Sequence, residues 1–438
     1  MIVSSVFAGK KYAVLGLARS GLATVEALAA SGAHVTAWDT REEARALVED
    51  KATIADPLTI DLTGFDGVVV SPGVPLNRHP ISDQAKAAGV PIIGDIELFA
   101  LARPTLPLHK VVGITGTNGK STTTALINHI IETAGIPTRM GGNIGLPILG
   151  QEPLPQGGIY VLELSSYQID LTYSLDCEVA VLLNITPDHL DRYDGFAGYC
   201  ASKARLFTMQ RAGQARVIAT DDENTQTIAA QLDDVTQVHA SDIRAEDQTR
   251  WISLQGPHNA QNVAVAIQTA KALGITDDVI ERGLATYASL PHRMQRIAEV
   301  CGVIYVNDSK ATNAASTAPA LAAYPPVNGR PRIHWIVGGV AKSDHLDECA
   351  PWFCNVKAAY TIGEAGPKFA EILRPYMPVD DSDMLSAAVR RAARVAQPGD
   401  VVLLSPACAS FDQFRDFEAR GDCFVHSVAA LSEVTADD

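Results

Sequence analysis

Short apolar runs alternate along this chain with glycine-bearing turns and Ala/Leu-rich stretches, a pattern that predicts strands alternating with helices. Residues 12–15 read as a strand, 16–21 as a turn, 22–30 as a helix, and 34–38 as a second strand ending at Asp39. That is a βαβ opening. Residues 67–70 form another strand that empties into Ser71-Pro72-Gly73, and two prolines within 103–107 interrupt the pattern. A second set starts with strand 110–114 and helix 122–131 and continues through strands 160–164 and 179–184. A third begins at 303–306, recurs at 333–337 and ends with 401–404. The expected fold is α/β in three domains, 1–105, 106–296 and 297–438, with parallel sheets covered by helices on both faces throughout. The last residues, 435–438, are expected to fray.

Composition narrows the function classes. A chain of 438 residues is too long for one ordinary core, and no apolar run approaches the ~20 residues of a membrane span. The opening residues lack a basic stretch followed by a long apolar one, so the protein is expected to be soluble and cytoplasmic. A formal charge of -15 argues against nonspecific nucleic-acid binding but leaves a focused pocket for a small phosphorylated ligand open. The seven cysteines form no C-x-x-C pair, which favours buried reduced thiols over disulfides or structural zinc.

The strongest chemical signal is Thr115-Gly116-Thr117-Asn118-Gly119-Lys120-Ser121, lying between a strand and a helix. Such a turn aims N–H groups and the positive helix end at an anion, while Lys120 reaches its outer phosphates and Ser121 offers a hydroxyl to Mg²⁺. The spacing departs from the general phosphate-loop rule, which wants glycine where Ile114 stands. A Gly/Asn turn with a solvated lysine is the plainer alternative.

The first domain carries a near-match of another kind. Gly16-Leu17-Ala18-Arg19-Ser20-Gly21 has alanine where the dinucleotide fingerprint has its middle glycine, and the extra methyl crowds a closely approaching pyrophosphate. A different nucleotide diphosphate-linked ligand, held against Arg19, Ser20, Asp39, Thr40, Arg41 and the Ser71 turn, fits better than NAD. A ligand-free domain that merely keeps the tight turn remains open.

Two strand ends carry candidates for a metal. Glu163 closes strand 160–164, and Asn184-Ile185-Thr186-Pro187-Asp188-His189-Leu190-Asp191 follows strand 179–184. Carboxyl ends of strands are the ligand crevices of open α/β sheets. Glu163 alone reads equally as a helix cap, and His189 as a structural hydrogen-bonding group, but beside Lys120 and Ser121 both point to a metal–phosphate centre. Lys203, in Ser202-Lys203-Ala204-Arg205, reads from the residues alone as a helix-surface lysine, and Phe417 as core packing.

Taken in order, the motifs resemble those of the Mur ligase superfamily over nearly the whole chain. Gly116-Thr117-Asn118-Gly119-Lys120-Ser121 is similar to its phosphate loop, which accounts for the irregular spacing, and Gly142-Asn143-Ile144-Gly145 to its substrate turn. Leu162-Glu163-Leu164-Ser165-Ser166-Tyr167-Gln168 and the 184–191 segment resemble its two metal-associated motifs. His258-Asn259-x-x-Asn262, Leu290-Pro291-His292-Arg293, 307–313 and 404–414 match the later ones, the last being closest to the branch that adds D-glutamate. The resemblance implies Rossmann-like first and third domains around a central P-loop ATPase-like domain, and a monomer. It implies an ATP- and Mg²⁺-dependent ligase that activates the carboxylate of UDP-N-acetylmuramoyl-L-alanine as an acyl phosphate and joins it to D-glutamate.

By the same resemblance, ATP meets Gly116 to Thr122 (Thr117, Asn118, Gly119, Lys120 and Ser121 between them), Asn259, Asn262, Arg293 and Asp308. Lys120, His189 and Lys203 are catalytic, and Ser121, Glu163, His189 and Lys203, the last as a carbamate, are metal-associated. Asn143 and His189 join the UDP-substrate residues of the first domain; Lys310, Thr312, Lys342, Ser410 and Phe417 handle glutamate. Closure of the last domain over a water-labile intermediate is expected. The alternatives are a Mur ligase taking L-glutamate or another amino acid, and a binding protein whose nucleotide sites no longer drive chemistry. Intact Lys120, Glu163, His189 and Lys203 favour the enzyme.

Overall fold

The computed structural model describes residues 1–188 and 191–434. Three sheets carry the architecture, one per expected domain. The first contains β1 (Lys11–Leu15), β2 (His34–Trp38), β3 (Thr53–Ile54), β4 (Gly67–Val70) and β5 (Ile92–Ile93), in the order β3-β2-β1-β4-β5 with every neighbour parallel. The second contains β6 (Lys110–Thr115), β7 (Thr138–Gly142), β8 (Ile159–Glu163), β9 (Val179–Leu182), β10 (Ala215–Ala219) and β11 (Val235–Val238), ordered β11-β10-β9-β6-β8-β7 and again parallel. Their inner strands are apolar on both faces because helices cover both sides.

The third sheet departs from the all-parallel expectation. It comprises β12 (Gln295–Val300), β13 (Val303–Asn307), β14 (Ile333–Gly338), then, after a short β15 (Val340–Ala341), β16 (Val356–Ile362), β17 (Val379–Asp383) and β18 (Val401–Leu404). Its order is β12-β13-β18-β14-β16-β17, and β12 runs antiparallel to β13. The cause is local: Cys301 and Gly302 both take left-handed backbone angles, φ 51° and 76°, which close a two-residue hairpin. A second antiparallel pair joins β15 to β19 (Cys408–Ala409).

The chain divides into two compact units, residues 1–242 with 261–284, and 243–260 with 285–438. Within the first unit the first two sheets share one apolar core. The helix Asp95–Ala102 supplies Phe99, whose ring meets Tyr160 of β8 edge to face at a centroid distance of 5.0 Å. Both side chains are fully buried, and burial of this kind stabilises by roughly 1.5–3 kcal/mol per large apolar side chain. The Ile2 N–H also donates to the Leu149 carbonyl at 2.8 Å, so the amino-terminal strap is tied to the short 3-10 turn Ile148–Gly150 between β7 and β8.

Two helices start earlier than their pattern suggests. Arg19–Ala30 takes in residues expected to belong to the glycine turn, since the Leu22 N–H already bonds the Ala18 carbonyl. Lys120–Thr133 starts on the loop lysine itself, directly after Gly119 with φ 81°. No helix among the described residues is long and apolar enough to cross a membrane.

Candidate functional site

The centre of the first unit is the carboxyl end of β6. Ile114 is fully buried in the strand, so the glycine that the general phosphate-loop spacing wants there has no role; left-handed backbone is needed instead at Gly116 (φ 153°) and Gly119 (φ 81°). A β-carbon at Gly119 would collide with Asn262 Oδ1, and Thr123 Oγ1 donates to that same oxygen at 3.1 Å. The loop is pinned from the next strand. Asn184 accepts the Thr117 N–H on its carbonyl and the Asn118 N–H on Oδ1, each at 2.8 Å. Thr117 Oγ1 lies 3.1 Å from the Tyr199 hydroxyl. Lys120 Nζ donates to the Gly116 and Thr117 carbonyls at 2.9 and 2.8 Å, folded back over the cradle that a phosphate would fill.

Beside the loop, Ser121 is buried in the first helical turn and Glu163 at the end of β8. One Glu163 oxygen accepts from Asn143 Nδ2 at 2.9 Å; the other is buried and has no hydrogen-bond partner. A buried carboxyl oxygen without a partner calls for a cation or a donor. Among the described residues no cluster of three or more His, Cys, Asp or Glu is placed to hold a metal. The donors present suit Mg²⁺ nonetheless, because that ion is commonly held by one or two protein oxygens together with nucleotide phosphates and water. His189 lies outside the described residues.

Lys203 corrects the surface-lysine reading. It lies on the inner face of the helix Gly195–Thr208, is 1% exposed, and donates to the Gly116 carbonyl at 2.8 Å. Its nitrogen stands 4.5 Å from the centre of the Tyr199 ring. Burial, reinforced by the nearby charge of Lys120, brings its pKa down to about 7.

The first domain builds a tight turn. Gly16 has φ 92°, its carbonyl accepts from Ser71 Oγ at 2.9 Å, and a β-carbon at Gly21 would strike that same carbonyl. Ser20 and Ser71 line one small cavity there. Asp39 proves to be a brace for the turn: Oδ2 accepts the Leu17 N–H at 2.7 Å, and Oδ1 accepts Arg41 Nε at 3.1 Å. The hydrogen bond from Arg41 holds its carboxyl down near a pKa of about 2. Thr40 is exposed, and Arg19 reaches across to donate to the Gly145 carbonyl of the 142–145 turn at 2.7 Å.

In the second unit, Asp308 is buried after β13, with Oδ2 accepting from Ser405 Oγ at 2.7 Å and Oδ1 from the Met294 N–H at 3.1 Å. Burial pushes its pKa up to about 7 against the opposing charge of Arg293. Asn259 donates to the Gln255 carbonyl at 2.9 Å. Lys310 sits 3.9 Å over the Phe417 ring, so Phe417 is a platform for a cation rather than simple core. Lys342 Nζ donates to Thr312 Oγ1 at 3.3 Å, and Ser410 is buried nearby in sequence to β19.

Three supporting residues went unassigned in the sequence. Asn184 carried a signal, standing at a strand end within a quoted motif. Tyr199 carried one too, being aromatic on the helix that holds Lys203. Arg420 carried none: it is 1% exposed and donates to Ser309 Oγ and to the carbonyls of Ser309, Cys408 and Ala409, yet reads as an ordinary charged helix residue.

Family models match in chain order: the Mur ligase MurD-like N-terminal domain at residues 10–94, the Mur ligase middle domain at 114–270, and the Mur ligase glutamate ligase domain at 292–408. The chain is 68% identical to the UDP-N-acetylmuramoylalanine--D-glutamate ligase of Novosphingobium aromaticivorans, covering 99% of this chain and 97% of that protein. It is 64% identical to the protein of the same name from Sphingopyxis alaskensis, covering 98% and 100%. The crystal structure of MurF from Acinetobacter baumannii shares the fold, with a TM-score of 0.60 at 16% identity over 96% of this chain and 93% of that one. With three family models in order and relatives this similar over full length, the chain belongs to the Mur ligase family, in its MurD-like branch.

Proposed function

We propose that the loop of Lys120, the dry oxygen of Glu163 and the buried amine of Lys203 form one ATP-consuming centre. There the protein joins D-glutamate to UDP-N-acetylmuramoyl-L-alanine in peptidoglycan precursor synthesis. The observation that carries this reading is the unpartnered, buried oxygen of Glu163, which pairs in the sheet with Ile114 just ahead of the loop, in a chain of the MurD-like branch. ATP and Mg²⁺ use is general in this family. ATP and a UDP-linked precursor are cytoplasmic metabolites, and we place the protein there.

The roles follow from charge and position. Lys120 leaves its loop carbonyls to neutralise the transferring phosphoryl oxygens, and the amides of residues 116–122 orient them. Ser121, Glu163, His189 and a carbamate on Lys203 would hold Mg²⁺, which supplies charge neutralisation between ATP and the acyl phosphate. The carbamate forms when the neutral Lys203 amine attacks carbon dioxide and releases a proton. An amine with a pKa of about 7 is neutral often enough for this at ordinary cellular pH. Asn143 couples the alanyl end of the substrate to Glu163. Arg19, Ser20, Asp39, Thr40, Arg41 and Ser71 receive the UDP portion, Asp39 by shaping the turn. Asn259, Asn262, Arg293 and Asp308 receive the nucleoside of ATP. Lys310, Thr312, Lys342, Ser410 and Phe417 receive glutamate, the lysines pairing with its carboxylates.

Phosphate release from ATP tests the reading directly. It is expected only when the UDP-linked substrate and D-glutamate are both present, with L-glutamate a poor replacement. Release without the amino acid, or equal turnover with either enantiomer, overturns the assigned chemistry.

A further inference from the structure

Arg192 lies just beyond the second metal-associated motif, in no role assigned so far, and its guanidinium is committed to another domain. Nη2 donates to the carbonyls of Pro72 and Val74 at 3.3 and 2.8 Å, and Nη1 to that of Gly73 at 3.4 Å. Three consecutive carbonyls of the Ser71 turn are thus held by one planar fork, which an ammonium could not reproduce. Beside it, Asn77 Nδ2 donates to the Asp191 carbonyl at 3.0 Å. Residues 72–77 of the first domain are therefore fastened at two points to Asp191 and Arg192 of the second.

The other face of Arg192 leads towards the phosphate loop. Its guanidinium lies 4.3 Å from the centre of the Tyr167 ring, and that ring stacks on Tyr193 with centroids 6.1 Å apart and planes 14° from parallel. Tyr193 meets Tyr199 at 5.5 Å, and the Tyr199 hydroxyl reaches Thr117 of the loop. Tyr193 is fixed in turn by its hydroxyl, which donates to Asp170 at 2.9 Å. A contiguous run of packed side chains joins the Ser71 turn to the loop that receives ATP, with Tyr167 inside the motif that carries Glu163.

We propose that Arg192 is a positioning residue that locks the Ser71–Val74 turn to the catalytic loops, so that the UDP-linked substrate and the nucleotide strengthen each other's binding. The proposal rests on the reading that this turn receives the UDP portion. Substrate diphosphate on the turn N–H groups stiffens the peptide planes whose carbonyls Arg192 holds, and the stiffening is passed through the tyrosines to Thr117. Linkage requires the effect to be reciprocal.

Calorimetric titration decides the matter. UDP-N-acetylmuramoyl-L-alanine is titrated into the full-length protein with and without Mg²⁺ and a non-hydrolysable ATP analogue, and the analogue with and without the substrate. Wild type is expected to bind each ligand about fivefold or more tighter when the other is present, the lower end of typical coupling. Arg192→Met keeps the stem over Tyr167 and removes the fork; its coupling factor is expected to fall to near 1 while each ligand alone binds within about threefold of wild type. Asn77→Ala, which spares Arg192 itself, is expected to reduce the factor partially and serves if Arg192→Met does not fold. Absence of coupling in wild type, or a wild-type factor in both variants, overturns the proposal. Ser71→Ala tells the two failures apart: unweakened substrate binding there removes the site reading, whereas weakened binding with full coupling in Arg192→Met removes the role of Arg192 alone.

Discussion

Lys120 and Lys203 point their nitrogens at the same acceptor, the Gly116 carbonyl, at 2.9 and 2.8 Å. Burial first, and then the charge of Lys120 beside the shared oxygen, disfavours the ammonium form of Lys203. Conversion of Lys203 into a carbamate would turn that repulsion into attraction for both Lys120 and a cation.

Lys203→Ala is therefore expected to fold, to lose nearly all activity, and to regain part of it when a short carboxylic acid is added to occupy the vacated space. Turnover assays with and without millimolar acetate or propionate check this. Full activity in the unsupplemented variant would exclude a role for the side chain.

Lys120→Ala should leave the melting temperature almost unchanged, since the side chain is partly exposed and donates to the Gly116 and Thr117 carbonyls of its own loop. Loss of one preorganised charge at a phosphoryl-transfer site lowers kcat by about 10²–10³-fold. Near-normal turnover in a folded variant would contradict the central assignment.

Glu163→Gln keeps the shape and the hydrogen bond from Asn143 but removes the charge. The Mg²⁺ concentration giving half-maximal activity is expected to rise at least tenfold, about 1.4 kcal/mol of lost ion affinity. An unchanged Mg²⁺ dependence would place the ion elsewhere.

Asp308 gives a pH signature. Its folded pKa of about 7 lies above the ordinary 3.8, so the folded state holds the proton more tightly than the unfolded one. The associated stability is complete below about pH 4 and is lost as the pH rises towards 7. Asp308→Asn should flatten that part of the stability profile in urea titrations at successive pH values. A profile identical to wild type would show that Asp308 does not titrate there.

Arg420→Lys should destabilise the second unit. A lysine cannot serve the Ser309, Cys408 and Ala409 carbonyls together, and each buried acceptor left short costs roughly 1–3 kcal/mol. Because those carbonyls belong to the strands and loops beside Lys310 and Ser410, KM for D-glutamate should rise while the KM for ATP changes little. Equal effects on both would reduce Arg420 to a general stabiliser.

The strands were legible for two reasons: β4 and β18 are apolar on both faces, and β2 alternates buried Val35 and Ala37 with more open positions; all three lie where the pattern put them, to the residue. The hairpin of β12 and β13 was missed because Cys301 is an unusual residue for left-handed backbone and gave no turn signal. Lys203 was legible in principle. The buried positions of its helix are Tyr199, Ser202, Lys203, Leu206 and Phe207, a helical stripe in which a lysine stands among apolar neighbours. Weighing that stripe would have put the amine indoors. The engagement of Asp39 with Leu17 and Arg41 depends on how the turn closes in three dimensions, and no spacing along the chain displays it.

Asn262 fills the space that any side chain at Gly119 would need, and it reaches Thr123 from a helix 139 residues further along the chain. Ribosomes deliver the phosphate loop before that helix, so a growing polypeptide carries the Lys120 turn for about a third of its synthesis without the wall that shapes it. The shape of the loop is thus completed only when a distant helix of the same chain has been made and packed.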